Sequence, residues 1–470
     1  MNTYLASSAS PPATRRDPQW RGALRARLGF EGMSLVVGLG VSGLSCARLL
    51  RDLGLPVEVT DSRATPPQLE AARRELADVP LHVGGFSAPA LARCARILLS
   101  PGVALDEPYL QQARTRGVPV LGDIELFARC VDAPVVAITG SNGKSTVTAL
   151  VGAMAVAAGR DARVGGNIGT PALDLLQAVP PELYVLELSS FQLETMTSLN
   201  ARAAAILNLS PDHLDRYPDM QAYLEAKLRI HAGDGVVVVN RDDPSLMACV
   251  PPGRRVVTFG LGAPAVNDFG LVVAGGRTWL VHGDEQLIAT DELGVRGTHN
   301  ALNALAALAL GNAAGLSREG MLAALRSFTG LPHRMQPLGE RRGVRWFNDS
   351  KGTNVGATLA ALGGLSGRVV LIAGGLGKGQ DFSPLRELAA SKARAVVLIG
   401  RDAPLIESAL QGVTPIHYAS DMPEAVTRAA SLAQSGDSVL LSPACASFDM
   451  FSGYEDRGRR FVAAFAELPP

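Results

Sequence analysis

Short, mostly apolar runs recur along the chain, many ending on glycine or a polar cluster and several followed by a longer stretch rich in Ala and Leu. Apolar runs of about four to eight residues bounded by turn signals are the pattern of strands buried on both faces of a parallel sheet. A first group is Met33-Ser34-Leu35-Val36-Val37, Val57-Glu58-Val59-Thr60 and Ile97-Leu98-Leu99. A second is Ala133-Pro134-Val135-Val136-Ala137, Leu183-Tyr184-Val185-Leu186, Ala205-Ile206-Leu207 and Val236-Val237-Val238-Val239, with a β-rich region at 255–290. A third is Val344-Arg345-Trp346-Phe347, Val369-Val370-Leu371-Ile372, Ala395-Val396-Val397-Leu398-Ile399 and Ser438-Val439-Leu440-Leu441. Helical stretches follow at 44–50, 147–154, 223–230, 301–307 and 321–325. Strands alternating with helices predict an α/β protein built from open, mostly parallel sheets. The expected division is a Rossmann-like unit at 33–122, a central P-loop-type mononucleotide-binding unit at 123–330 and a Rossmann-like α/β unit at 331–470. A link to the second follows Val118-Pro119-Val120-Leu121-Gly122, and no sequence repeat joins the three.

Composition narrows the classes. The chain has 470 residues, 47% of them hydrophobic and 19% charged, which suits several globular domains of ordinary size. Its 44 basic and 44 acidic residues cancel, so no global field draws it to nucleic acid or to an anionic membrane. Five scattered cysteines, none in a Cys-x-x-Cys pair, argue for a reducing compartment and against a disulfide framework or a thiolate metal site. No apolar run approaches the ~18 residues of a membrane span. Residues 1–32 carry Ser, Pro, Ala and Arg without the apolar core of a secretory signal, and are expected to form a disordered tail.

The candidate chemistry lies where strands end. Gly140-Ser141-Asn142-Gly143-Lys144-Ser145-Thr146 stands between an apolar strand and an apolar helix. A strand, a glycine turn and Gly-Lys-Ser-Thr at a helix start make a phosphate cradle, in which backbone N–H groups, Lys144 and a Mg²⁺-ligating hydroxyl face the anion. The first glycine stands two positions closer than in the full P-loop pattern. A plain turn before a helix calls for glycine, but not for Gly-Lys-Ser-Thr together. Gly38-Leu39-Gly40-Val41-Ser42-Gly43 is a complete G-x-G-x-x-G, with Asp61 18 positions beyond its last glycine. Alone, it fits a nicotinamide dinucleotide site as well as another nucleotide or mere helix packing. Glu187 ends its strand like the acidic group that holds Mg²⁺ in nucleotidases. Asp212-His213-Leu214-Asp215-Arg216-Tyr217 collects titratable groups at another strand exit; a lone histidine is usually structural, but one beside carboxylates at a strand end is a functional candidate. Lys227 reads most simply as a solvated helix lysine. Asn300 and Asn303 share one helical face, and the third unit places Lys351 and Lys378 on strand-end loops. A nucleotide fold, an ATP-type loop and a third unit with basic loops best match ATP-driven activation of a carboxylate followed by attack of an amine. A nicotinamide oxidoreductase and an ATP-hydrolysing switch are the alternatives.

These stretches, together with Gly122-Asp123-Ile124-Glu125-Leu126-Phe127, Gly165-Gly166-Asn167-Ile168-Gly169, residues 186–194, Asn348-Asp349-Ser350-Lys351 and residues 442–447, resemble the Mur ligase family across all three units. The match is to the branch that adds D-glutamate to UDP-N-acetylmuramoyl-L-alanine; an L-glutamate-adding branch has a different phosphate loop. The resemblance implies a monomeric, cytoplasmic ATP-dependent ligase of bacterial peptidoglycan synthesis. Its partners would be ATP, UDP-N-acetylmuramoyl-L-alanine and D-glutamate, with no nucleic acid and no membrane insertion. It implies that Val41, Ser42, Asp61, Ser62, Arg63, Ser100 and Pro101 hold UDP, and that Asn167 and His213 meet the muramoyl-alanine end. It gives the 140–146 loop, Asn300, Asn303, Arg334 and Asp349 to ATP, and Lys351, Thr353, Lys378, Ser447 and Tyr454 to glutamate. It implies two Mg²⁺ sites, one on Ser145 and one on Glu187, His213 and Lys227, with Lys227 N-carbamylated. Lys144, Glu187, His213 and Lys227 would thus be the catalytic set. Gly352 and Tyr454 stand where the family pattern often has Ala and Phe.

Overall fold

The computed structural model describes residues 17–469. Three sheets account for the strands. The first contains β1 (Ser34–Val37), β2 (Val57–Asp61), β3 (Leu81–Val83), β4 (Arg96–Leu99) and β5 (Val120–Gly122), all parallel, in the order β3-β2-β1-β4-β5. That is the Rossmann order 3-2-1-4-5 without its sixth strand, with the reversal between β1 and β4. Residues 120–122 form the edge strand of this sheet, and Gly122 directly caps the helix Asp123–Cys130.

The second sheet contains β6 (Val135–Thr139), β7 (Ala162–Gly166), β8 (Leu183–Glu187), β9 (Ala203–Ile206), β10 (Val236–Asn240), β11 (Val256–Phe259), β12 (Phe269–Ala274), β13 (Arg277–His282) and β14 (Glu285–Ala289). Its order is β14-β13-β12-β11-β10-β9-β6-β8-β7. The strands are parallel up to β12, and β12 to β14 form an antiparallel meander. Every residue of β6, β8, β9 and β10 is buried, as unbroken apolar runs require. The third sheet contains β15 (Gln336–Arg341), β16 (Val344–Asn348), β17 (Val369–Gly374), β18 (Ala393–Ile399), β19 (Ile416–Tyr418) and β20 (Ser438–Leu441), ordered β15-β16-β20-β17-β18-β19. Only the β15–β16 pair is antiparallel.

Two compact units result. One contains the described chain up to Asn208, Gln221–Ala289 and Asn303–Arg326, and so holds the first two sheets. The other contains Leu209–Met220, Thr290–Leu302 and the chain from Ser327 onward.

The expected tail over 1–32 is corrected within the described residues: Pro18–Leu28 is a helix. Asp17 accepts from the N–H groups of Gln19 and Trp20, Pro18 opens the first turn, and Gly29 closes the helix in the left-handed region. Leu24 and Leu28 are buried, and the Arg27 guanidinium donates to the Cys130 carbonyl oxygen at 2.8 Å. Composition hid these signals because the helix has just two buried apolar positions. Residues 1–16 lie outside the described part. Among the described residues no helix is long and apolar enough to cross a membrane.

Candidate active site

In the first unit the carboxyl ends of β1, β2 and β4 open onto a cavity of about 610 Å³, within the size range of small-molecule sites. Val41, Ser42, Asp61, Ser62, Arg63, Ser100, Pro101 and Asn167 all line it. The glycines make the turn possible: a Cβ on Gly43 would come within 1.9 Å of the Gly38 carbonyl oxygen, so strand and helix could not close up.

Asp61 plays a part that its position alone does not reveal. Its side chain is only 2% exposed. One carboxylate oxygen accepts from Leu39 N–H and Arg63 Nη2, both at 2.6 Å, and the other from Arg63 N–H and Nε, both at 2.9 Å. Burial raises its pKa, but these bonds outweigh burial and hold the carboxyl below its ordinary value. Asp61 thus organises the glycine turn and orients Arg63, where a dinucleotide site would present a free carboxylate to a ribose.

The phosphate loop sits between β6 and the helix Lys144–Ala157. Gly143 has φ +81°, and a Cβ there would lie 2.5 Å from Asn303 Oδ1, so only glycine lets Asn303 close on the loop. Asn208, just past β9, pins the loop on three sides: its carbonyl accepts from Ser141 N–H at 3.0 Å, its Oδ1 from Asn142 N–H at 2.8 Å, and its Nδ2 donates to the Asn142 carbonyl at 3.0 Å. Lys144 Nζ donates to the carbonyls of Gly140 at 2.8 Å and Ser141 at 2.9 Å. Ser145 Oγ donates to Glu187 Oε2, and Asn167 Nδ2 donates to Glu187 Oε1 at 2.6 Å. A hydrogen-bonded chain therefore runs from the cavity wall at Asn167 through Glu187 to the phosphate loop.

Lys227 is not a solvated helix lysine. It is 1% exposed, donates to the Gly140 carbonyl at 3.0 Å and lies 4.4 Å from the centroid of the Tyr223 ring. Lys144 and Lys227 thus share one carbonyl oxygen. Legs of 2.8 and 3.0 Å put their nitrogens no more than about 5.8 Å apart.

Below the cavity, the helix Asp123–Cys130 carries two buried carboxylates. Asp123 accepts from Gln192 Nε2 at 2.8 Å, and Gln192 lines the cavity. Glu125 accepts from the N–H groups of Thr197 and Ser198 at 2.8 and 3.0 Å. This helix therefore fixes the segment that follows Glu187.

The second unit holds the other candidates. His213 has φ +57°, and its ring lies 3.6 Å from the Asp212 carboxylate. Asp212 also accepts from Asn354 Nδ2 at 3.1 Å and has Lys378 Nζ at 3.6 Å. Lys351 Nζ stands 3.7 Å over the Tyr454 ring, and Thr353 N–H donates to the Lys351 carbonyl. Leu376 pairs with Ala446, which brings the turn bearing Lys378 beside Ser447. Arg457, fully buried, ties this floor together by donating to Ser350 Oγ and to the carbonyls of Ser350 and Cys445. Arg334 lies in the turn between Leu331 and β15, where its N–H donates to the Leu331 carbonyl. Asn300 lies on the helix Thr298–Ala314, which also carries Asn303, and its Nδ2 donates to the Arg296 carbonyl at 2.8 Å. Glu187 and Lys227 belong to the first unit and His213 to the second.

Asp349 is buried at the end of β16 and accepts from Ser442 Oγ at 2.8 Å and Met335 N–H at 3.1 Å. Burial outweighs these bonds and pushes its pKa from 3.8 to about 6. A folded pKa above the unfolded one means that the stability contributed by the protonated form is complete below about pH 4 and lost as the pH rises through about 6. Denaturant unfolding measured from pH 4 to 7 is therefore expected to show less loss of stability with rising pH in Asp349→Asn than in the wild type. The difference should approach about 3 kcal/mol, at ~1.4 kcal/mol per pKa unit; parallel pH profiles would contradict the assignment.

Sequence reasoning did not single out Asn208, Tyr223, Phe86, Glu107 or Gln192 as site residues. Asn208 carried a signal, a polar residue closing an apolar strand. The others carried none, since their roles depend on which chain segments fold against them.

Comparison with known proteins bears on the whole described fold. The sequence model of the Mur ligase MurD-like N-terminal domain matches residues 33–122, that of the Mur ligase middle domain 138–311, and that of the Mur ligase glutamate ligase domain 333–445. The UDP-N-acetylmuramoylalanine–D-glutamate ligase of Nitrosococcus oceani is 55% identical over 437 residues, covering 93% of this chain and 96% of that one. The protein of the same name from Methylococcus capsulatus is 53% identical, covering 95% and 97%. Among solved structures, a pseudomurein peptide ligase type C from Methanothermus fervidus shares the fold with a TM-score of 0.60 at 18% identity, covering 93% of this chain and all of that one. UDP-N-acetylmuramate-alanine ligase from Thermotoga maritima does so with the same score at 21% identity, covering 93% and 99%. The chain belongs to the Mur ligase family.

Proposed function

We propose that this protein joins D-glutamate to UDP-N-acetylmuramoyl-L-alanine at the expense of ATP, through an acyl phosphate, as a monomer in the bacterial cytoplasm. The observation that supports it most directly is the chain Asn167–Glu187–Ser145, which connects a nucleotide-sized cavity to an ATP-type loop inside one unit. Relatives more than half identical over nearly their full length carry the name of that activity.

In this reading the cavity holds UDP on the Gly38–Gly43 turn, with Arg63 oriented by Asp61, and the alanine carboxylate reaches the Glu187 end past Asn167. That carboxylate oxygen attacks the γ-phosphorus of ATP and ADP leaves. Lys144 and the helix terminus stabilise the charge that develops on the transferred group. The amine of D-glutamate then attacks the acyl carbon, phosphate leaves, and one amine proton passes to solvent. Lys351, Lys378 and the loops carrying Thr353, Ser447 and Tyr454 receive the two glutamate carboxylates, while Asn300, Asn303, Arg334 and Asp349 position ATP.

The residues suit Mg²⁺. Ser145 and Glu187 offer hard oxygen donors, and no cluster of three or more His, Cys, Asp or Glu side chains forms a closed cage among the described residues. Mg²⁺ is commonly held by one or two carboxylates with phosphate and water completing its octahedron. Bound there, it would neutralise phosphate charge; Ser145 would hold one ion, and Glu187 with Lys227 a second. Carbamylation of Lys227 fits the same electrostatics. Two ammonium groups on one buried carbonyl repel by about 3 kcal/mol at an effective dielectric of ~20. Neutral Lys227 amine adding CO₂ and losing a proton becomes an anion, which removes that repulsion and adds an oxygen ligand.

The test is phosphate release from ATP with each substrate omitted in turn and with D- and L-glutamate separately. Release should require UDP-N-acetylmuramoyl-L-alanine and D-glutamate together. Release with ATP alone would make the protein an ATPase switch, and release only with L-glutamate would overturn the stereochemical assignment.

A further inference from the structure

Among the described residues that line the 610 Å³ cavity, Phe86 is the one aromatic ring, and neither the glycine turn nor the Asp61–Arg63 pair gives it a role. The segment that carries it is held firmly. After β3, Gly84 N–H donates to the Arg63 carbonyl at 3.0 Å, Gly85 N–H to the Asp61 carbonyl at 3.3 Å, and Ser87 N–H to Thr60 Oγ1 at 2.9 Å. Three bonds thus tie residues 84–87 to the end of β2. The half-buried Phe86 ring is braced by Tyr109, whose ring centroid lies 6.1 Å away at 74°, an edge-on contact.

A nucleotide in this cavity needs recognition for its base as well as its phosphates. Asp61 does not supply it: each of its oxygens already accepts two N–H groups. An aromatic face next to a fixed guanidinium is the usual alternative, because every base has a π-face. We propose that Phe86, backed by Tyr109, is the platform on which the base of the bound nucleotide stacks. The proposal rests on reading the cavity as the uridine nucleotide site.

The probes are UDP and its 5,6-dihydro analogue, titrated into the full-length chain. The dihydro base keeps the hydrogen-bonding groups but loses the planar π-system. The wild type should bind UDP more tightly than the analogue. Phe86→Ala should weaken UDP binding roughly 10- to 100-fold and bring the two ligands to equal affinity, whereas Phe86→Trp should keep the preference. Phe86→Leu, which retains apolar bulk without a π-face, should behave as Phe86→Ala and guards against a folding defect. In turnover, the KM for the UDP substrate should rise while kcat and the KM for ATP hold. UDP binding unchanged by Phe86→Ala, or equal losses for both ligands, overturns the proposal alone. A wild type that binds no UDP overturns the nucleotide reading and the proposal together.

Discussion

Lys144→Ala is expected to lower ligation at least about 1,000-fold with little change in unfolding temperature. The side chain is anchored by two carbonyls of its own loop, 2.8 and 2.9 Å away, so its charge is held where the helix N-terminus already favours anions. A preorganised donor aimed at developing charge is worth about 3–4 kcal/mol, which is two to three orders of magnitude in rate. Loss of the full charge on a transferred phosphoryl group should sit at or beyond the upper end. Stability should hardly respond, because the loop keeps its independent ties to Asn208. Phosphate release and thermal unfolding measured on the same preparation decide the matter. A variant that ligates at the wild-type rate removes the phosphate loop from the reaction.

Lys227→Ala is expected to cost more than about 100-fold in rate, and millimolar formate, acetate or propionate should restore part of it. The argument is electrostatic. Lys227 is buried, and its nitrogen shares the Gly140 carbonyl with Lys144. Two buried lysines on one carbonyl oxygen are accommodated if one of them becomes a carbamate, and a small carboxylate can stand in for that group. A ¹³C signal from labelled bicarbonate, present in the wild type and absent in Lys227→Ala, gives a readout independent of turnover. Full activity of Lys227→Ala without added carboxylate would refute the carbamate.

Much of this architecture is written locally. β6, β8, β9 and β10 announce themselves as apolar runs, and Gly143-Lys144-Ser145-Thr146 as a helix start, because strand burial and phosphate cradling both depend on neighbours in sequence. The helix Pro18–Leu28 was also locally encoded, by Asp17, Pro18 and Gly29, but its two buried leucines are too few for a periodic signal.

The burial of Lys227 is hidden from periodicity for the opposite reason. Tyr223, Leu224 and Ala226 are buried around it on a helix with no clear polar face, so periodicity gives no hint of which residues meet solvent. Asp61 was visible as a carboxylate at the right spacing, yet its four N–H donors come partly from a turn 22 residues earlier in the chain. The Leu209–Met220 segment follows a central-sheet strand but packs with the C-terminal unit, and that placement puts Asp212 beside Lys378 and Asn354.

The residue order along the chain therefore determined the α/β class, the strands, the phosphate loop and the family. Tertiary structure alone decided which carboxylates are spent on structure, which lysine is buried beside another, and which aromatic ring lines the cavity. Helix and strand signals arise from contacts a few residues apart, whereas charge pairing and burial are set by segments that crossover connections bring together from far along the chain.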